Sequence, residues 1–241
     1  FKEQYLGTSN PSGVTLAVES ISVGAWTVTA KDWTTVPGII SSVKDQGKCA
    51  AGWAFAAASA LESLRVMAYN VTADLSEQQL ISCSSPYGNN GCVSGWMNYA
   101  YNYVVAKGIA TEIYYPYTNA TLKNGTRGAC RFDGGALKIT GYNTVGANCN
   151  FVAGNLTSRP LSVGVDATNW RPYVSGIFRN CGSITVNHGV LLVGVNATVW
   201  KIKNSWGTGW GVGGYIYLNA TNGANTCAVC NTVSYPVAIL Q

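Results

Sequence analysis

The sequence predicts an α+β protein of two lobes, and three observations carry that expectation. Segments rich in Ala and Leu, as helices are, occupy the first half of the chain. After about residue 135 the pattern turns to alternating and β-branched runs, as strands do. The 241 residues are 47% hydrophobic, enough for one globular unit or two small lobes sharing a cleft.

The elements follow in order. Residues 1–26 differ from the rest: "FKEQYLGTSN" opens with a helical turn and stops at Pro11, and "SGVTLAVESISVGAW" continues as an extended, mildly apolar arm. The first long helix begins at Gly52 and runs through "WAFAAASALESLRVMAY". A second begins at "LSEQQLISC", with Ser76 as its N-cap and Glu77 to Leu80 as its first turns. A third, "GWMNYAYNYVVAKG", stops at Gly108. The strands are expected in "ALKITGYNTV", "LSVGVDA", "GVLLVGVNATVWKIKNSW" and "GYIYLNA". No internal repeat or low-complexity tract stands out beyond an Asn/Thr bias.

Charge is sparse. Only 10% of residues are charged, against roughly 25% in ordinary soluble proteins. The net +5 is spread without a basic run, which argues against nucleic acid as a partner. Eight cysteines, an even number, suggest four disulfides and an oxidising compartment. N-x-S/T sequons at Asn70, Asn119, Asn124, Asn155, Asn196 and Asn219 support the secretory route, although an Asn/Thr-rich chain also produces sequons by chance. No apolar run is long enough to span a bilayer. The chain opens on Phe1 without an initiator Met, as a processed or trimmed chain would.

Three fragments carry the chemistry: "VKDQGKCAAGWAF" at 43–55, "VNHGVLLVGV" at 186–195 and "IKNSWGTGWGVGGYIYL" at 202–218. In this order and spacing they resemble the papain and cathepsin L family of cysteine peptidases. "DWTTVPGIISSVKDQG", "LSEQQLISCS", "YGNNGCVSGW", "YPYT" and "NTCAVCNTVSYPV" fall in the same order, so the resemblance runs from about Thr27 to Leu240. It implies a two-lobed papain-like fold: a helical left lobe over about 36–140, an antiparallel β-barrel-like right lobe over about 141–234 plus 27–35, and the active-site cleft between them. The whole domain would span 27–241.

In that family a Cys at a helix N-terminus is held as thiolate by the helix dipole and an imidazolium. The imidazolium later protonates the leaving amine. An Asn orients the imidazole, and a Gln side chain with the nucleophile's own N–H forms the oxyanion hole. The resemblance gives these roles to His188, Asn204 and Gln46, with Trp206 shielding the His–Asn bond. His188 is the only histidine and falls, with Asn204, at about the family's distance from residue 52. A lone His is often structural; its flanking motif marks this one as a site position. The residue in the nucleophile's place is Gly52, which cannot form an acyl-enzyme. Two readings of it stand: a naturally silent homologue that binds or builds, or an active endopeptidase whose nucleophile was engineered away. Ala50 and Ser94, which replace family glycines, favour the first.

The resemblance implies further expectations. Ser94, Gly95, Trp96, Met97, Gly164, Asn187, Gly189 and Thr232 would line the substrate cleft and take peptide or protein ligands. Family pairing joins Cys49–Cys92, Cys83–Cys130 and Cys181–Cys227, and leaves Cys149–Cys230. Residues 1–26 resemble the end of an inhibitory prosegment and would lie in the cleft; a free N-terminal tail is the alternative. No cofactor or metal is expected. The location would be extracellular or a lysosome-like vacuole.

Overall fold

The computed structural model describes residues 26–118, 127–182 and 184–240. The expectations for the arm over 1–25 and for the sequons at Asn119 and Asn124 lie outside them. Helix α1 spans Gly52–Tyr69 and is buried on every side from Gly52 to Ser63. A helix apolar all round belongs inside a protein, and its small alanines let neighbours approach closely. It ends at Asn70, in the left-handed region at φ 54°, whose N–H closes onto Val66 O. Helix α2 spans Glu77–Cys83, and the Ser76 hydroxyl accepts from Gln79 N. Helix α3 spans Met97–Lys107 and stops at Gly108, φ +81°, where a Cβ would stand 2.2 Å from Gly135 O. All three lie where the sequence predicts them.

The strands are β1 (Lys31–Asp32), β2 (Lys138–Val145), β3 (Leu161–Val165), β4 (Ile177–Phe178), β5 (His188–Val195), β6 (Val199–Lys203), β7 (Tyr215–Asn219) and β8 (Thr232–Leu240). They form one sheet in the order β2-β8-β3-β5-β6-β7-β4, with β1 on β5. The pairing is antiparallel, as expected, with one difference: the two-residue β4 pairs with β7 in parallel, making the sheet mixed. A second difference is α4, Cys149–Leu156, a helix inside the half expected to be strands. It is eight residues long, too short for a clear 3.6-residue period, and its Asn148 cap accepts from Asn150 N.

The α+β arrangement is two-lobed, with β5 at its centre. All eight of its residues are buried. By the two-residue alternation of a strand, Leu191 and Val193 join the core built on α1, α2 and α3. Val190 and Leu192 join the second core, with Trp170, Trp200, Ile202 and Leu218; Val195 joins it as well, beyond the register shift between Leu192 and Gly194. The four disulfides are Cys49–Cys92, Cys83–Cys130, Cys149–Cys230 and Cys181–Cys227, and no cysteine is free. The first joins the segment entering α1 to the loop before α3. The start of α1 and the start of α3 are thereby tied to each other.

Candidate active site

Gly52, the first residue of α1, faces His188, the first residue of β5. His188 is fully buried. Its Nε2 lies 2.8 Å from Asn204 Oδ1. Ser205 N–H donates to that same Asn204 atom at 2.9 Å, so the atom is an acceptor. Nε2 therefore carries the proton, and Nδ1 presents a bare lone pair. Nδ1 is buried and has no hydrogen-bond partner. A Cβ on residue 52 would stand 2.4 Å from Nδ1, 2.3 Å from Cε1 and 2.8 Å from Gly189 O. The imidazole thus occupies space that any side chain at 52 would need.

Burial sets the charge state. It pushes the His188 pKa down to about 4, against the opposing hydrogen bond to Asn204. The ring is neutral at pH 7. Trp206 stacks on it at 5.1 Å between centroids and an interplanar angle of 29°. Trp170 meets it edge-on at 6.4 Å, and Trp210 in turn packs against both tryptophans. These indoles wall the His188–Asn204 bond from water. Trp170, Trp210 and Ser205 were not singled out from the sequence, although Ser205 and Trp210 lie inside the "KNSWGTGWG" fragment.

Gln46 is fully buried beside this pair. Its Nε2 donates to Cys49 O at 2.7 Å, and its Oε1 accepts from Ser205 Oγ at 2.7 Å. Gln46, Ser205, Asn204 and His188 are consequently one continuous polar unit. In this form the Gln46 amide holds the turn leading into α1.

The expected cleft residues separate into three groups. Trp96, Met97 and Thr232 line a cavity of about 530 Å³ with Tyr142, Thr144 and Val186. Gly164 belongs with them, since a Cβ there would meet Thr232 Oγ1 at 2.6 Å and Val186 Cγ1 at 2.7 Å. Tyr142 and Thr144 come from β2, and no sequence signal pointed to them. Gly95 lies flat on the Trp53 indole, and Gly189 lies against the Trp53 backbone and Met97 Sδ. Ser94 and Asn187 serve turns instead: Ser94 O accepts from Asn90 N, and Asn187 bonds Ala167 N, Asp166 and Thr168. Of the sequons, Asn70 and Asn196 are exposed, Asn155 donates to Phe151 O within α4, and Asn219 ends β7.

A second buried polar cluster lies farther along α1. Lys44 Nζ meets Glu62 at 3.0 Å, Glu77 at 2.7 Å and Asp74 at 2.6 Å. Burial works against the Lys44 ammonium, but the Glu77 and Glu62 carboxylates more than offset it and hold its pKa above the usual lysine range. Lys203, from β6, donates to Ser41 Oγ at 2.9 Å, and Ser41 donates to Glu62 Oε2 at 2.5 Å. Burial lowers the Lys203 pKa to about 8, against the pull of Glu62. This cluster ties both lobes together.

An α+β fold of two lobes with an indole-covered His–Asn pair at their junction describes a papain-like protein. A family model for the papain family cysteine protease matches residues 27–237, and the chain belongs to that family. It is 40% identical over 213 residues to "Cathepsin L 2" of Paramecium tetraurelia, covering 86% of this chain and 63% of that protein. It is 39% identical over 217 residues to "Cathepsin L-like proteinase" of Fasciola hepatica, covering 86% of this chain and 64% of that protein. Among solved structures, digestive procathepsin L 3 of the Tenebrio molitor larval midgut matches with a TM-score of 0.80 and 33% identity, over 99% of this chain and 77% of that one. The chain thus spans 63% and 64% of the two curated relatives' lengths. Among the described residues no helix is long and apolar enough to cross a membrane.

Proposed function

We propose that this protein is a catalytically silent member of its peptidase family that acts by binding. The observation that carries the reading is the pair Gly52 and His188. Residue 52 offers no nucleophile, and the imidazole that would activate one is neutral, buried and packed against the glycine. Without the nucleophile such a unit retains only what positioning and the oxyanion site supply. Water cannot replace it easily, because the His188 lone pair has no open space before it.

Cysteine pairing supports the same reading, since a thiol nucleophile would be a ninth cysteine and all eight present are in disulfides. The sequons and disulfides suit a secreted or lysosome-like location, with N-glycans on some of the sequons. Residues 1–25 are proposed to be a retained prosegment-like arm lying in the cleft, because a chain without a thiol cannot mature itself; Trp26, expected at the end of that arm, packs instead on Trp200 of the β lobe. The match to a proenzyme over 99% of the chain supports this. Cutting between Gly13 and Gly24 by a protease, with the rest unchanged, would instead mark a free tail.

The test is direct. The purified protein should hydrolyse no dipeptidyl fluorogenic substrate and take no label from a thiol-directed epoxide. Robust hydrolysis with a pH profile that follows His188 would overturn the reading. A second reading, an endopeptidase with its nucleophile engineered away, draws on the intact bond between His188 and Asn204. The genomic codon for residue 52 decides between them. Gly52→Cys with residues 1–26 removed should take the epoxide label only if His188 swings back from residue 52.

A further inference from the structure

On the β lobe, a cavity of about 220 Å³ is lined by Trp26, Asn148, Asn150, Asn222, Asn225 and the Cys149–Cys230 disulfide. We infer that it is a binding site for one neutral sugar ring. Three observations converge on that ligand class.

The first is the chemistry of the lining. Four carboxamides surround one indole, and no charged side chain takes part. A phosphate or carboxylate would call for Arg or Lys. Carboxamides donate and accept at once, as alternating hydroxyl groups require, and an indole offers an apolar body. The second is Trp26 itself. Its Nε1–H is buried without an acceptor. That atom is closed off from the cavity, so what Trp26 presents there is apolar ring surface, against which the C–H face of a sugar ring packs. The third is construction. Trp26 is held edge-to-face by Trp200 at 5.5 Å, and Trp200 Nε1 donates to Ala224 O at 3.0 Å. Gly223, φ +73°, leaves room for the Trp26 ring, which a Cβ there would approach to 3.0 Å. Asn225 is anchored by Cys230 N at 2.9 Å and by Asn231 Oδ1 at 2.6 Å. The volume lies between the ~30 Å³ of a water and the ~300–1,000 Å³ of a drug-sized pocket.

The sugar has two sources. Asn219 is a sequon three residues before Asn222 of the lining, and the sequon at Asn196 is joined to it across β6 and β7: Asn196 N donates to Val199 O, and Val199 pairs with Asn219. A glycan on either could fold back into the cavity. Otherwise the ring belongs to a foreign glycan.

The experiment uses the full chain from a secretory host, with tryptophans ¹⁵N-labelled at the indole. Intact and enzymatically deglycosylated protein are each titrated with mannose, glucose and N-acetylglucosamine while the Trp26 indole resonance is followed. Saturable shifts in both forms indicate a foreign glycan. Shifts only after deglycosylation, and in Asn196→Gln or Asn219→Gln without it, indicate the chain's own. Trp26→Phe, followed by calorimetry, should lower affinity about tenfold, the loss of part of the indole's apolar surface. Asn222→Gly keeps its φ of 57° and removes one carboxamide, so it should weaken binding even if Trp26→Phe does not fold. The inference is overturned if no sugar moves the Trp26 resonance in either form, or if binding is indifferent to both substitutions.

Discussion

Two buried polar clusters lie along α1, and they are built on opposite principles. Around Lys44, the carboxylates of Glu62 and Glu77 meet an ammonium, and Lys203 reaches Glu62 through the Ser41 hydroxyl. Around His188, two buried atoms have no partner: His188 Nδ1 and Asn204 Nδ2. Native proteins leave few buried polar groups unmade, and the exceptions collect where a site has or had work to do. The Lys44 cluster reads as architecture. The His188 cluster keeps the orientation of a site whose counterpart at residue 52 is missing.

The comparison can be broken most forcefully at Glu62. Glu62→Ala removes the acceptor of Lys44 Nζ, Leu75 N and Ser41 Oγ together. Lys44 keeps Glu77 and Asp74, but the buried Lys203 loses the carboxylate that it reaches through Ser41, and breaking a buried charge network costs about 3–5 kcal/mol, so the denaturation midpoint should fall sharply. A change under about 1 kcal/mol would show the network to be dispensable. At the His188 cluster the lever is pH. Unfolded, its imidazole titrates near 6.5; folded, burial holds it at about 4. Between those values the unfolded chain takes a proton that the folded chain refuses. Its contribution to stability is complete above ~6.5 and is lost as pH falls to ~4, by roughly 3 kcal/mol. His188→Phe should lose less stability than the parent over that window; parallel curves would mean the ring accepts its proton in place.

Gly52→Ala sharpens the contrast further. Removing a helical glycine usually stabilises by up to ~1 kcal/mol. Here the new methyl would collide with His188, and overpacking costs about 1–3 kcal/mol. The net sign should be destabilising, as read by chemical denaturation. A stabilised Gly52→Ala would mean that His188 moves aside at no cost. The smallest effect is expected from Ser205→Ala. It removes the donor to Gln46 Oε1 at 2.7 Å and should cost about 1 kcal/mol.

What the sequence made legible was whatever is local or periodic. Ser76 announces α2 because an N-cap is a chemical signature. Gly108 announces the end of α3 because only glycine fits against Gly135 O. The motif fragments named Gln46, His188 and Asn204, and the fold brings them together. The sequence was silent where distant strands supply one wall each. Tyr142 and Thr144 reach the large cavity only because β2 pairs with β8, almost a hundred residues on. It was also silent about the Trp26 cavity, whose carboxamides come from the start of α4 and from the turns at Asn222 and Asn225. Nor could it show that the His188 ring closes onto Gly52, since that follows from burial and not from any motif.

The position of β5 has a consequence for how the molecule comes apart. Because its alternate side chains belong to different cores, neither lobe can be stripped away while the other keeps its packing. Melting should be a single cooperative event, and the slowest-exchanging amides should lie along β5 itself, with those of α1 and β6 close behind. A cleft between two lobes suggests a hinge; this strand makes it a seam sewn from both sides.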